Sequence, residues 1–129
     1  MGQAGHKART PSVALVIEDE PEVRSLAATI LEETDLHVVE MESAEEALAF
    51  LRDNAHDVAM IFADVRLPGR IDGVDVARTA AASWPWIKVV LTSGAMDHSL
   101  DELPDTATFM PKPWRALDVL VQADLAVGH

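Results

Sequence analysis

Residues 13–31 read VALVIEDEPEVRSLAATIL, and this stretch decides the fold. Val13–Ile17 (VALVI) is a short apolar run, the kind that suits a strand covered on both faces. Glu18-Asp19-Glu20 ends the run, and Pro21 suits the first position of a helix. Val23, Leu26, Ala27, Ile30 and Leu31 then follow i, i+3, i+4, i+7, i+8, which is one face of a helix. The stretch is a strand, an acidic turn and a helix in that order.

The same unit recurs along the chain. Further strands are expected at His37–Met41 (HVVEM), Val58–Ala63 (VAMIFA), Ile87–Leu91 (IKVVL) and Thr108–Met110 (TFM). Helical stripes fall between and after them: Ala44, Ala47, Leu48 and Leu51; Val76, Ala77, Ala80, Ala81 and Trp84; Leu117, Leu120, Val121 and Leu125. Ser43-Ala44-Glu45-Glu46 and Ser99-Leu100-Asp101-Glu102 read as capping boxes, and Pro104 keeps the second helix short. Strands joined through helices run parallel with right-handed crossovers. The expected fold is therefore α/β, (βα)5 and doubly wound: a five-stranded parallel sheet with helices on both faces.

Composition narrows the function. The chain has 129 residues, 49% of them hydrophobic, with 22 Asp+Glu, 10 Lys+Arg, a formal net charge of −12 and no cysteine. That length fits one domain with a real core. The absence of cysteine removes disulfide scaffolds, thiol nucleophiles and cysteine-ligated metals. Acidity argues against direct nucleic-acid binding, which needs cationic surface. No stretch reaches the ~20 apolar residues of a membrane span. Residues 1–12 hold Lys7 and Arg9 but no acid and no apolar h-region, so they read as a flexible leader, not a secretory signal. The domain is expected over 13–127, with 128–129 as a tail. The five histidines have no metal-ligand spacing. Trp84 and Trp86 read as packing, and Trp114 as packing beside a partner-facing helix.

Parallel α/β sheets place their sites at the carboxyl ends of the strands. There the sequence puts Glu18-Asp19-Glu20, Asp64, Thr92-Ser93-Gly94 and Met110-Pro111-Lys112-Pro113. Each alone has an ordinary explanation: a helix start, a strand end, a solvated lysine. Together they carry the types that phosphoryl chemistry needs. Carboxylates ~5 Å apart repel by roughly 3 kcal/mol at an effective dielectric of 20, so the cluster calls for a cation. Mg²⁺ takes one or two carboxylates and keeps several waters. Asp19 and Asp64 are expected as direct ligands, with Glu18 acting through water. Asp64 is then placed as a nucleophile toward phosphorus, with Lys112 and Thr92 to meet the phosphoryl oxygens.

These residues resemble a known family. VALVIEDEP (13–21), MIFADVRLPGRIDGVDVAR (60–78), VVLTSG (89–94) and FMPKPW (109–114) are similar, in order and spacing, to the motifs of response-regulator receiver domains of two-component signalling, which have a flavodoxin-like fold. The resemblance implies that Asp64 is the phosphoacceptor. It implies that Glu18, Asp19, Asp64 and the backbone carbonyl of Arg66 hold Mg²⁺ or Mn²⁺. It makes Thr92 and Lys112 the phosphoryl-binding pair, Phe109 the switch aromatic, and Lys112–Pro113 a cis bond. It gives no enzyme of its own, but a phosphoacceptor that assists its own phosphorylation and dephosphorylation. It implies a cytoplasmic protein that takes its phosphoryl group from a histidine kinase or a histidine phosphotransfer protein. With no output domain after the last helix, protein–protein contacts carry the signal, and phosphorylation-dependent homodimerisation stays open.

The sequence also departs from the family pattern. Glu18 stands where Asp is commoner, and Phe109 where many relatives have Tyr. Arg66 follows the phosphoacceptor by two, and its guanidinium is available to Glu18 or to a phosphoryl group. Ser93 and Gly94 leave the pocket mouth small and accessible. The loop 68–73 is slightly long. Other readings are a receiver cut from a hybrid histidine kinase, a pseudo-receiver that binds without phosphorylation, and a Mg²⁺-dependent aspartyl-phosphate phosphohydrolase. The last needs a second Asp where Arg66 stands. A flavodoxin-type carrier is disfavoured because the loop after the first strand is acidic and repels phosphate.

Overall fold

The computed structural model describes residues 10–94 and 103–128. The strands are β1 (Val13–Ile17), β2 (His37–Met41), β3 (Val58–Asp64), β4 (Lys88–Ser93) and β5 (Ala107–Pro111). The α-helices among the described residues are α1 (Pro21–Leu31), α2 (Ala44–Asn54), α3 (Gly73–Ser83) and α4 (Ala116–Ala126), with a 3-10 turn at Ala55–Asp57. The capping box read at Ser99–Glu102 lies outside the described residues.

All strand pairs are parallel, in the order β2-β1-β3-β4-β5. This is the doubly wound α/β sheet that the sequence predicts. Every residue of β3 is buried, as befits a strand with neighbours on both edges and helices on both faces. Alternation along the strands divides the core. Leu15, Ile17, Ile61, Ala63, Val89 and Leu91 pack with α2 and α3. Ala14, Val16, Met60, Phe62, Val90 and Met110 pack with α1 and α4. Burying one such aliphatic side chain stabilises by about 1.5–3 kcal/mol.

Helix starts follow their local chemistry. Pro21 opens α1. The Ser43 hydroxyl accepts from Glu46 N at 3.2 Å, while Glu46 Oε1 returns to Glu42 N at 3.1 Å. At α3, Asp72 and Asp75 form a reciprocal capping box at 3.0 and 3.1 Å that the sequence reading passed over. No helix among the described residues is long and apolar enough to cross a membrane.

Two helical stripes fall differently from expectation. Leu26 is 55% exposed, and Leu117, Val121 and Leu125 are exposed although they belong to the expected stripe of α4. That helix is apolar on nearly all sides, so periodicity could not choose its inner face. The sheet takes the smaller residues Val119 and Ala123 instead. The tryptophans divide likewise. Trp84 packs on the core, whereas Trp86 is half exposed and donates its Nε1–H to Ala55 O at 3.1 Å. Trp114 precedes α4 and meets Phe62 edge-to-face at 5.4 Å.

Candidate functional site

The carboxyl ends of β1, β3, β4 and β5 meet at one pocket of about 460 Å³, lined by Asp19, Glu20, Asp64, Arg66, Ser93, Gly94 and Lys112. Asp64 is the last residue of β3 and pairs in register with Thr92 of β4. Asp64, Glu18, Thr92 and Ser93 are the buried polar residues among those described. Burial of so polar a set is costly without partners, so the partners explain the site.

Lys112 is the counter-charge. Its Nζ donates to Asp64 Oδ2 at 2.7 Å and to Glu18 Oε1 at 3.2 Å. Its own N–H donates to Ser93 O at 3.0 Å, and the Lys112–Pro113 peptide is cis. The second oxygen of Asp64 accepts Arg66 N–H at 2.9 Å, and Glu18 Oε2 accepts Glu20 N–H at 3.1 Å. The Thr92 Oγ1 is buried and has no hydrogen-bond partner among the described residues, although it stands beside Asp64. An orphaned hydroxyl of this kind costs about 1–3 kcal/mol unless a ligand or water satisfies it.

Proton affinities follow from this packing. The Glu18 carboxyl is pushed up to about 7. Burial is the main cause, opposed by the Glu20 N–H; the charge and hydrogen bond of Asp64 add to the rise, and Lys112 opposes it. For Lys112, burial pulls downward, but hydrogen bonds and charges from Asp64 and Glu18 outweigh it and hold the ammonium above its usual value. One ammonium thus faces two buried acids.

The donor set suits a hard divalent cation. Carboxylate oxygens of Glu18, Glu20 and Asp64 lie within 4.8 Å of one another. Glu20 is the member that sequence reasoning left among helix-start residues. The signal was its position two after Glu18, on the same turn. Asp19 is exposed and lines the same pocket. The Arg66 backbone touches Asp64 through its N–H. Phe109 pairs with Leu91, one register before Thr92, and packs partly buried against the α2–α3 core.

Two supporting residues also escaped the sequence reading. Arg24, on the first turns of α1, donates Nη1–H to Glu18 O at 2.9 Å, and its Nε lies 3.4 Å from Glu40 Oε1 on β2. Glu45 of α2 accepts Arg70 N–H at 3.0 Å beneath Gly69, whose φ is +97°. The first ties the acidic turn to its neighbours; the second pins the loop that follows Asp64.

Comparison with known proteins agrees with this geometry. The family described as response regulator receiver domain matches residues 14–121. The receiver domain of the hybrid histidine kinase CckA is 29% identical, with a TM-score of 0.75, over 90% of this chain and 99% of that one. The receiver domain of NtrX from Brucella abortus is 28% identical, with a TM-score of 0.73, over 88% and 97%. A response regulator receiver protein from Sinorhizobium medicae shares the fold at a TM-score of 0.81 and 21% identity, over 91% and 94%. By the span of that family match and the sheet that carries its site, the chain belongs to the response regulator receiver domain family.

Proposed function

We propose that the chain is a phosphorylation switch in which Asp64 accepts a phosphoryl group from a histidine kinase or a histidine phosphotransfer protein. One observation carries this: Asp64 is buried and held between Lys112 Nζ and Arg66 N–H, while the adjacent Thr92 hydroxyl has no partner among the described residues. That hydroxyl is a donor for an oxygen that the described residues do not supply, while the Lys112 ammonium already rests on the Asp64 carboxylate.

In the reaction, an Asp64 carboxylate oxygen attacks phosphorus and the bond from phosphorus to the donor nitrogen breaks, so the acyl phosphate forms in a single displacement. Lys112 moves from pairing two carboxylates to pairing a phosphoryl oxygen, and Thr92 donates to another. Glu18, Asp19, Asp64 and the Arg66 carbonyl are the residues proposed to hold the cation, and Glu20 joins them on the geometry above. When bound, Mg²⁺ or Mn²⁺ would supply positive charge there that lets a dianionic phosphoryl group approach these four acids. The displacement of Thr92 toward the phosphate is the step that shifts a two-state equilibrium, and Phe109 is proposed to follow it. The chain assists its own phosphorylation without turning over a separate substrate. It is proposed to work in the cytoplasm and to signal through protein contacts. Likeness to the receiver of a hybrid kinase supports a phosphorelay setting.

Intact mass spectrometry tests the proposal. With Mg²⁺ and a small phosphodonor, the wild type is expected to gain one phosphoryl adduct that is acid-stable and base-labile. Asp64→Asn is expected to gain none. An adduct of equal yield on Asp64→Asn overturns the assignment.

A further inference from the structure

The α4 helix shows solvent three large apolar side chains four residues apart: Leu117 (61% exposed), Val121 (47%) and Leu125 (54%). Such spacing puts them on one face over more than two turns. They form one wall of a groove of about 670 Å³, whose other wall is the connection from α1 to β2, including Glu33, Asp35 and Leu36. The groove lies at the amino-terminal end of the sheet, since Ser12, just before β1, lines it and bonds His37, the first residue of β2. It is thus at the opposite end from Asp64.

We propose that this groove docks a basic amphipathic helix of a partner protein. The apolar wall supplies the driving force, because covering these side chains removes apolar surface from water. The rim supplies the selection. Glu33 and Asp35 are exposed, and among the described residues no Lys, Arg or His lines the groove. Nucleic acid and anionic membrane surfaces share that negative charge and are repelled. A second copy of the chain presents the same acids and the same net charge of −12, which opposes self-association through this face. An apolar stripe flanked by Lys or Arg complements both wall and rim, and a helix in a groove is the recurring way to deliver one. The proposal stands apart from the phosphorylation reading, because it uses none of the residues around Asp64.

The test titrates the full chain into a fluorescein-labelled Leu/Lys peptide about five turns long, with leucines at i, i+3, i+4 and i+7. Saturable binding is expected, with amide shifts centred on α4 and residues 33–36. Val121→Glu and Leu125→Glu alter side chains already in water, so both keep the fold; each is expected to weaken binding about tenfold or more. Glu33→Lys with Asp35→Lys is expected to weaken it as well. Unchanged affinity in both α4 variants overturns the proposal, as does equal binding of a Leu/Glu peptide. Sedimentation showing a wild-type dimer that Val121→Glu dissolves assigns the stripe to a second copy and overturns it. Nuclear Overhauser contacts from residues 1–9 to Leu36 in the free chain overturn it in favour of the chain's own start.

Discussion

Lys112 and Asp64, 48 residues apart in sequence, meet at 2.7 Å through Nζ and Oδ2. Because β3 and β5 flank β4, the sheet order brings them together. The pair is what keeps two buried acids tolerable, so removing the ammonium exposes their cost. Lys112→Ala is expected to lose about 1–3 kcal/mol of stability without metal at neutral pH, the scale for a partly buried pair stripped of one partner. Urea unfolding with a chelator measures this. Mg²⁺ is expected to restore most of the loss. A variant as stable as the wild type in chelator shows that the pair contributes nothing.

The pH dependence has a definite sign. Glu18 titrates at about 7 in the folded state against 4.5 for an ordinary glutamate, with burial as the main cause. The folded protein therefore holds a proton that the unfolded chain has released. Stability from this group is complete below 4.5 and is lost as pH rises through 7. The metal-free protein is expected to weaken by on the order of 1–3 kcal/mol between pH 5 and 8. Glu18→Gln is expected to flatten that slope. Stabilisation by Mg²⁺ is expected to grow over the same range, because the proton no longer competes. A chelated wild type whose stability is level or rises over this window contradicts the account.

Gly73 opens α3 where the helix comes up against the end of β3. A Cβ there lies 2.2 Å from the Asp64 carbonyl oxygen, a backbone atom that cannot swing aside. Gly73→Ala is expected to cost about 2–4 kcal/mol, more than helix propensity returns. Because the displaced atom belongs to Asp64, adduct formation is expected to slow as well. Thermal melts and the rate of adduct formation measure both effects.

Much of this was legible in the sequence. Val13–Ile17 and Val58–Asp64 read as buried strands because their apolar character is continuous, and Asp64 and Lys112 stood out because charge ends such runs. The α4 face was not legible, because Leu117 and Val119 offer equally apolar stripes and only the sheet chooses between them. Glu20 and Arg24 were missed for a related reason. A carboxylate or guanidinium near a helix start has ordinary local roles, and the contacts that mark these two depend on three-dimensional proximity. The orphaned Thr92 hydroxyl is likewise invisible until its surroundings are built.

Arg24 sits early in α1, where a cation opposes the helix dipole. Its bond to Glu18 O and its ion pair with Glu40 offset that cost. Arg24→Ala is expected to lose about 1–2 kcal/mol, the scale of a charge-assisted hydrogen bond left unmade. Arg24→Lys is expected to recover only part, because one ammonium cannot span both acceptors as a planar fork does. If lysine restores full stability, the forked geometry is irrelevant. Calorimetric Mg²⁺ titration adds a second readout: loosening the Glu18 turn is expected to weaken the metal even where the fold survives.

Gly94 lines the pocket beside Ser93 and Lys112. It lies outside the left-handed backbone region, in which Gly69 and Gly128 are the described glycines, so a side chain is tolerated there. An added Cβ meets only Lys112 carbons at 3.9 and 4.0 Å, which is ordinary contact. Gly94→Glu therefore changes access without changing the fold. Its carboxylate stands over an opening lined by Ser93 and Lys112 and narrows the approach of water to a phosphoryl group on Asp64. The acyl phosphate is expected to survive several-fold longer, read as the decay of the adduct mass after removal of the phosphodonor. An unchanged lifetime makes Gly94 a turn residue with no kinetic role. A shorter one means the new carboxylate orients water instead of excluding it, and Gly94→Gln, which keeps the size without the charge, separates shielding from that base-like action.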